Sequence, residues 1–185
     1  FFRDNIQSVS AELAATGISA EDVGKNFQTI AENFSGFNKN ATVTNDELLR
    51  SVSLLNNLGV SSAESAKNIN FLTRSMKMST DQAIEVNEQI ATMGDEMGVT
   101  AAKMASDFRA VSGELSVYGP RMMGVFQELA ATAKATGLEV SSLVALGQKF
   151  DTFSDAASNA GKLNAVLGTN ISAMEMMNMT EAERV

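Results

Sequence analysis

Apolar residues recur every three or four positions along almost the whole chain, and this spacing gathers them on one face of an α-helix. The clearest runs are Val23, Phe27, Ile30, Ala31 and Phe34; Ala83, Val86, Ile90, Met93 and Met97; Met104, Phe108, Val111 and Leu115; and Met122, Phe126, Leu129, Ala130 and Ala133. The pattern predicts an all-α fold, a series of about ten amphipathic helices. These helices are expected to form repeated helix-turn-helix units, packed as a bundle or as an extended helical array.

Several predicted helices begin at a capping box, in which a Ser or Thr side chain and a Glu or Gln three residues later satisfy each other's backbone N–H groups. Such boxes occur at Thr44–Glu47, Ser61–Glu64 and Ser79–Gln82. Pro120 suits the first turn of the next helix, where its missing N–H has no intrahelical partner to lose. Ser172–Glu175 is predicted to open a last short helix.

A glycine followed by a bulky aliphatic residue marks four of the predicted joints between helices. The four joints are Gly17-Ile18-Ser19, Gly59-Val60-Ser61, Gly98-Val99-Thr100 and Gly137-Leu138-Glu139, and their glycines are 42, 39 and 39 residues apart. Glycine readily takes the left-handed conformation that ends a helix, and a Ser or Thr two residues later can cap the next helix. We therefore expect all four glycines to end helices.

The four copies also agree beyond the glycine. Ten residues after it stand Phe27, Ile69, Phe108 and Gly147, and thirteen after it stand Ile30, Leu72, Val111 and Phe150. A period near 40 residues is typical of stacked helical hairpins, but amphipathic helices in general produce similar agreement, so both interpretations stay open. If the chain consists of stacked hairpins, a single all-helical fragment 1–185 contains possible repeat units at 1–40, 41–77, 78–116 and 117–168, with 169–185 starting a further unit.

Composition narrows the chemistry of which the chain is capable. One tyrosine, one proline and no tryptophan leave little of the usual signal for strands. The chain has no cysteine and no histidine, which removes thiolate nucleophiles, disulfides, and the commonest general base and metal ligand. A formal net charge of −8 argues against binding to a phosphate backbone. No apolar run approaches the length of about 20 residues that spans a bilayer.

The few motifs that resemble chemical sites are incomplete. Gly161-Lys162 is followed by Leu163 where a phosphate-binding loop needs Ser or Thr, and Gly24-Lys25 lies inside an amphipathic stripe. The acidic pair Asp95/Glu96 lacks calcium-loop spacing. We therefore predict no catalytic, cofactor-binding or metal-binding residue, no cofactor, and a protein that is not an enzyme.

Methionines are concentrated near the C-terminal end of the chain, at Met174, Met176, Met177 and Met179. Flexible, polarizable methionine side chains suit adaptable binding faces, but they also fill gaps in a helical core. Whether segment 174–179 is a contact site is open at this point. The helical pattern is already under way at Phe1, and Thr180–Glu183 forms a capping box with no room for a helix after it, so we expect a fragment of a longer chain.

Three stretches resemble segments of bacteriophage tail tape measure proteins, namely LAATGISAEDVGKNF at 13–27, LGVSSAESAKNI at 58–69 and the run from LAATAKATGLEVSSLVALG to LNAVLG within 129–168. Proteins of that family are long and mostly helical, with many junctions of this kind between helices. The resemblance is one of general pattern across nearly the whole chain and does not include a diagnostic motif.

The resemblance implies a structural virion protein that acts in tail tube assembly, length determination and genome delivery. It implies self-association and contacts with tail tube, tail tip or baseplate proteins, in the tail lumen or at the tip, after synthesis in the host cytoplasm. It implies no specific nucleic-acid binding and no membrane segment in this fragment. Two other interpretations remain: a solenoid-like helical-repeat scaffold that binds a protein, and a carboxylate-dependent glycosidase that would need two convergent acids in a cleft.

Overall fold

The computed structural model of the chain describes residues 2–37, 42–180 and 182–184. These residues fold entirely as helices and turns, with no strand in any of the three ranges, so the predicted all-α class is confirmed. The α-helices are α1 (Phe2–Leu13), α2 (Ala20–Asn33), α3 (Thr42–Asn57), α4 (Ser62–Ser75), α5 (Thr80–Met97), α6 (Ala101–Leu115), α7 (Met122–Thr136), α8 (Val140–Gly147), α9 (Phe153–Leu167) and α10 (Ala173–Asn178). Short 3₁₀ segments cover Ala14–Thr16, Ser116–Arg121 and Gln148–Phe150.

All four predicted joint glycines lie where helices end. Their φ angles are 82° at Gly17, 92° at Gly59, 64° at Gly98 and 73° at Gly137, all in the left-handed region that favours glycine. The prediction that each of them ends a helix is therefore confirmed. Gly168, which follows α9 with a φ of 67°, makes a fifth such helix end that the four-copy pattern does not include.

One predicted helix start is wrong by about two residues. Helix α3 begins at Thr42, so Thr44–Glu47 lies within its first two turns, and the Asp46 carboxylate accepts a hydrogen bond from Asn5 in α1. Pro120 lies in the first turn of a helix, as predicted, because the backbone breaks at Gly119 (φ 53°, ψ −124°) and helical geometry resumes at Pro120. A short 3₁₀ turn at Pro120 and Arg121 leads directly into α7.

The chain divides into two compact units, Phe1–Arg109 and Ala110–Val185. In the first unit each helix packs on the next one and on the one after that: α1 contacts α2 and α3, α2 contacts α3 and α4, and α3 contacts α4 and α5. This order of contacts is that of stacked helical hairpins. The predicted intervals 1–40, 41–77 and 78–116 hold two α-helices each, whereas 117–168 holds three.

The apolar positions that the repeat pattern singles out are core positions. Phe27, Ile69 and Phe108 are at most 9% exposed, and Ile30, Leu72, Val111 and Phe150 at most 4%. The predicted stripe of α5 is only part of its buried face, since Ile84, Asn87 and Ala91 are buried as well. Helix α5 has this wider buried face because it packs on both α3 and α4.

The second unit contains a small separate core. Phe150, Ala156 and Met176 form its centre, and Leu163, Ile171, Ala173 and Met177 pack against them. These residues come from the 3₁₀ segment before α9, from α9 and α10, and from the turn between α9 and α10, which contributes Ile171. Helix α7 packs on α8 in the same unit, and Phe126, Leu129 and Val144 are buried there.

Candidate functional site

The joints between helices carry the capping bonds that their sequence predicts. The hydroxyls of Ser19, Ser61 and Thr100 each accept a hydrogen bond at 3.2 Å from the backbone N–H three residues later. Glu139, at the corresponding position of the fourth joint, makes no side-chain cap. The joints therefore combine a left-handed glycine with a helix cap in three copies and keep only the glycine in the fourth.

The burial of the aliphatic residue also decreases from the first two joints to the fourth. Ile18 and Val60 are buried, Val99 is half-buried, and Leu138 is 51% exposed. At the second and third joints the aliphatic residue's N–H bonds the carbonyl five residues back, as in a Schellman motif, with N–O distances of 3.0 and 2.8 Å. At the fourth, Gly137 makes the simpler bond to Ala133, so Leu138 is not drawn onto the preceding helix.

Buried asparagines join successive hairpins of the first unit. Asn26 donates from Nδ2 to Ser53 Oγ at 3.1 Å and accepts from Ser62 Oγ at 2.8 Å. Asn68, nine residues after its joint glycine as Asn26 is after Gly17, donates to the Ala105 carbonyl at 3.5 Å. Because each bond crosses from one hairpin to the next, these side chains fix the register of the stack. Sequence analysis missed them, since an asparagine inside a helix has no local signal for a partner 27 to 37 residues away.

Two adjoining hollows lie between α3 and α5, with volumes of about 360 Å³ and 280 Å³. Ser51 and Glu88 line both of them. The first hollow is bordered mainly by acidic side chains and the second mainly by leucines and Ala91. We call the two together the α3–α5 groove. Its acids lie on exposed helix faces, and within the described residues no three of them are grouped closely enough to hold a metal ion.

One carboxyl group is shifted by burial. Partial burial raises the pKa of Glu64 above its ordinary value, and the nearby Arg109 and Lys67 oppose this shift. A raised pKa means that Glu64 favours folding most at acid pH, and that its contribution is lost as pH rises through the folded-state pKa. Glu64 lines neither hollow of the α3–α5 groove, so it gives no acid for catalysis there.

The incomplete sequence motifs all lie within regular helices. Gly161 and Lys162 are exposed residues of α9, Gly24 lies in α2, and Asp95 and Glu96 lie in the last turn of α5. Among the residues that the structure describes, no group of three or more acidic side chains could hold a metal ion. The hydrogen bonds on Asp22 from Ser19 lower the pKa of that carboxyl, which is the ordinary behaviour of an acid in the first turn of a helix.

The methionine-rich segment 174–179 divides its side chains between core and surface. Met176 is 8% exposed and belongs to the core of the second unit, and Met177 packs against that core. Met174 and Met179 are exposed. The segment thus fills a gap on one side and leaves apolar surface on the other.

A buried arginine holds this segment in place. Arg184 donates from Nε to the Met176 carbonyl at 2.6 Å and from Nη2 to the Met177 carbonyl at 3.0 Å. Its Nη1 bonds the Gly147 carbonyl at 2.8 Å and the Asp151 carboxylate. Its side chain is only 5% exposed. Through these bonds the buried guanidinium satisfies carbonyls at the ends of both α8 and α10. The sequence offers no signal for this contact.

The neighbouring capping box Thr180–Glu183 makes both of its reciprocal bonds, while Glu181 within it lies outside the described residues.

Comparison of the chain with protein-family models, with curated proteins and with solved structures finds no match. In the described residues, no single helix is long and apolar enough to cross a bilayer, although the bent pair Ala101–Thr136 and Val140–Phe150 passes the same test when its helices are taken together.

Proposed function

We propose that this chain is a non-enzymatic structural part of a phage tail tape measure protein. It would act in tail tube assembly, in setting tail length and in genome delivery, and its place would be the tail lumen or tip. The resemblance of residues 13–27, 58–69 and 129–168 to that family supports the proposal, as does the all-α fold. The observation that carries it is the joint repeated at Gly17, Gly59, Gly98 and Gly137, which is a feature of architecture and not of a reaction site.

Self-association is the second part of the proposal. Seven of the nine exposed large apolar side chains in the described residues lie at position 117 or beyond: Val117, Leu138, Leu146, Val166, Leu167, Met174 and Met179. Apolar surface of this kind is stabilised when another protein surface covers it. In a tube that holds several parallel copies, the covering surface is a neighbouring copy or a tail tube or tip protein.

The alternative is a helical-repeat scaffold that binds another protein. The specific observation in its favour is the stacking of α1 to α5, in which each helix contacts the next two, together with the groove between α3 and α5. Stacked hairpins of this type present extended binding surfaces. This alternative predicts a monomer, whereas the tail proposal predicts an oligomer.

Light scattering on the 185-residue chain tests the two against each other. We expect an oligomer whose mass falls in the double variant Val166→Ser/Leu167→Ser, because both side chains are more than half exposed. The matched control is Val43→Ser/Leu58→Ser, which removes two apolar side chains of similar exposure from the first unit and should leave the mass unchanged. A monomer at every concentration would overturn self-association and favour the scaffold.

The tail itself provides the test of location. The sequence that neighbours this chain in its reading frame should continue for many hundreds of residues with the same helical pattern. Imaging of the tail that the protein belongs to should place helical density of this sequence in the lumen or tip. Density elsewhere, or a short parent protein, would contradict the proposal.

A further inference from the structure

Helices α3 and α5 present matching stripes to the groove between them. Along α3 and the residue after it, the lining residues Glu47, Ser51, Leu54 and Leu58 follow one another at steps of four, three and four. On α5 they are Asp81, Glu85, Glu88, Thr92 and Asp95, at steps of four, three, four and three. Both hollows are ordered the same way along the two helices, so α3 and α5 run in parallel. At 1.5 Å per residue, the stripe on α3 is about 16 Å long, which is room for about three turns of a docked helix.

The groove is strongly acidic at one end. Four carboxylates line the hollow at that end, from Glu47, Asp81, Glu85 and Glu88, against a single guanidinium from Arg50. That guanidinium is already engaged by Glu12 of α1 at 2.8 Å. Asp81 lies in the first turn of α5, where the helix dipole favours an acid. Glu85 and Glu88 lie beyond the reach of that dipole, and within the described residues neither of them pairs with a cation.

The floor of the groove contains polar groups without partners. Ser51 is 3% exposed and lines both hollows, yet its hydroxyl makes no hydrogen bond within the described structure. The Nε atom of Arg50 beside it is buried and unpaired as well. A buried polar group without a partner is costly, and a ligand in the groove would relieve that cost. This observation is independent of the charge of the rim.

The opposite end of the groove is apolar. Leu54, Leu55, Leu58 and Ala91 make up most of its lining, with Thr92 and Asp95 at the edge on α5, and Leu58 is 59% exposed. A ligand that matches the whole groove therefore needs an apolar half and a cationic half on one face. A metal ion does not meet this description, because the acids do not converge. A second copy of the chain, with its net charge of −8, is repelled by the acidic end.

We propose that the α3–α5 groove binds a basic amphipathic helix of a partner protein. The apolar residues of that helix pack on the Leu54–Leu58 end, and its Lys or Arg residues lie along Glu85 and Glu88 at the other end. The Ser51 hydroxyl pairs with a polar side chain of the bound helix. The proposal rests on the first unit alone and holds or fails independently of the tail function.

The probe is a 14-residue alanine-based peptide with blocked ends, labelled with fluorescein, whose one face carries two leucines in one half and two lysines in the other. Binding to the 185-residue chain is measured by fluorescence anisotropy near physiological salt. Glu85→Lys/Glu88→Lys should weaken binding by about tenfold, because two attractions become repulsions. The matched control Glu21→Lys/Glu32→Lys makes the same change in net charge on the exposed side of α2, and should change binding by less than about threefold since those charges are screened from the groove.

Two further measurements separate groove binding from general attraction between charges. Leu58→Ser removes exposed apolar surface at the other end and should weaken binding by about threefold. A peptide in which alanines replace the two leucines should bind more weakly than the probe by a similar factor. The proposal is overturned if the probe does not bind, if both charge variants weaken it equally, or if the leucine-free peptide binds as well as the probe. Helical circular dichroism of each variant confirms that it is folded.

Discussion

The two units of the chain depart from the usual arrangement of polar and apolar residues in opposite ways. The first unit buries polar groups: Asn26, Asn68 and Asn87 are at most 4% exposed. The second exposes apolar groups, with Val117 and Val166 about four-fifths exposed. Both units join helices at left-handed glycines, so the difference lies in what the helices pack against. The first unit buries most of its helix surface by stacking, including polar groups such as Ser51 and Asn87 that have no partner within the described structure, whereas the second keeps more apolar surface that a partner can cover.

Buried asparagines have a structural consequence that exposed valines lack. A bond such as that from Ser62 to Asn26 forms at one register of two hairpins and breaks at any other. Apolar contact alone tolerates several registers. The first unit is therefore expected to be the more rigid of the two, and the second the more adaptable.

The largest expected difference concerns the two cores. Leu72→Ala removes a fully buried side chain from the hairpin stack and should lower the free energy of unfolding by about 3–5 kcal/mol, because the rigid surroundings cannot close the cavity. Met176→Ala, in the small core of the second unit, should cost about 2 kcal/mol, since its neighbours can relax. Urea denaturation of both variants gives the two values. A larger cost for Met176→Ala would reverse the ranking of the units.

Arg184 is expected to contribute most of the order at the end of the second unit. Arg184→Met keeps the length of the side chain but leaves the carbonyls of Met176 and Met177 without their donor, so it should cost about 2–3 kcal/mol. The control Lys162→Met changes an exposed residue of the same unit and should stay within about 0.5 kcal/mol. Thermal unfolding measures both. Equal effects from the two variants would show that the guanidinium contacts contribute little.

A smaller effect separates capped and uncapped joints. Ser61→Ala removes the bond to the Glu64 N–H and should cost about 1 kcal/mol. Glu139→Ala at the fourth joint removes no side-chain cap and should change the free energy of unfolding by less than about 0.5 kcal/mol. Calorimetry on the two variants makes the comparison. A cost at Glu139 as large as that at Ser61 would mean that the fourth joint depends on its side chain in some other way.

Features set by neighbouring residues were predictable from the sequence. The glycine ends at Gly17, Gly59, Gly98 and Gly137, the caps at Ser61 and Ser79, and the all-α class all follow from local backbone chemistry. The repeat offsets predicted core positions correctly because a stripe must face whatever the helix packs on.

Features set by distant residues were not predictable. The residues around Asn26 contain no signal for its hydrogen bond with Ser62. Those around Arg184 likewise contain no signal for its bond to the carbonyl of Gly147. The α3–α5 groove needs two helices about 35 residues apart to lie side by side, and its unpaired Ser51 looks like an ordinary helical serine in the sequence.

The central claim is that the stacking of its own hairpins holds the first unit together, whereas association with another copy covers the apolar surface of the second. Hydrogen–deuterium exchange of the 185-residue chain, followed over about a hundredfold range of protein concentration, tests it directly. We expect slow exchange in α2 and α4 that does not depend on concentration, and exchange in α9 and α10 that slows as concentration rises and copies associate. Protection of α9 and α10 that is independent of concentration, or equal to that of α2 and α4 at high dilution, would contradict the account.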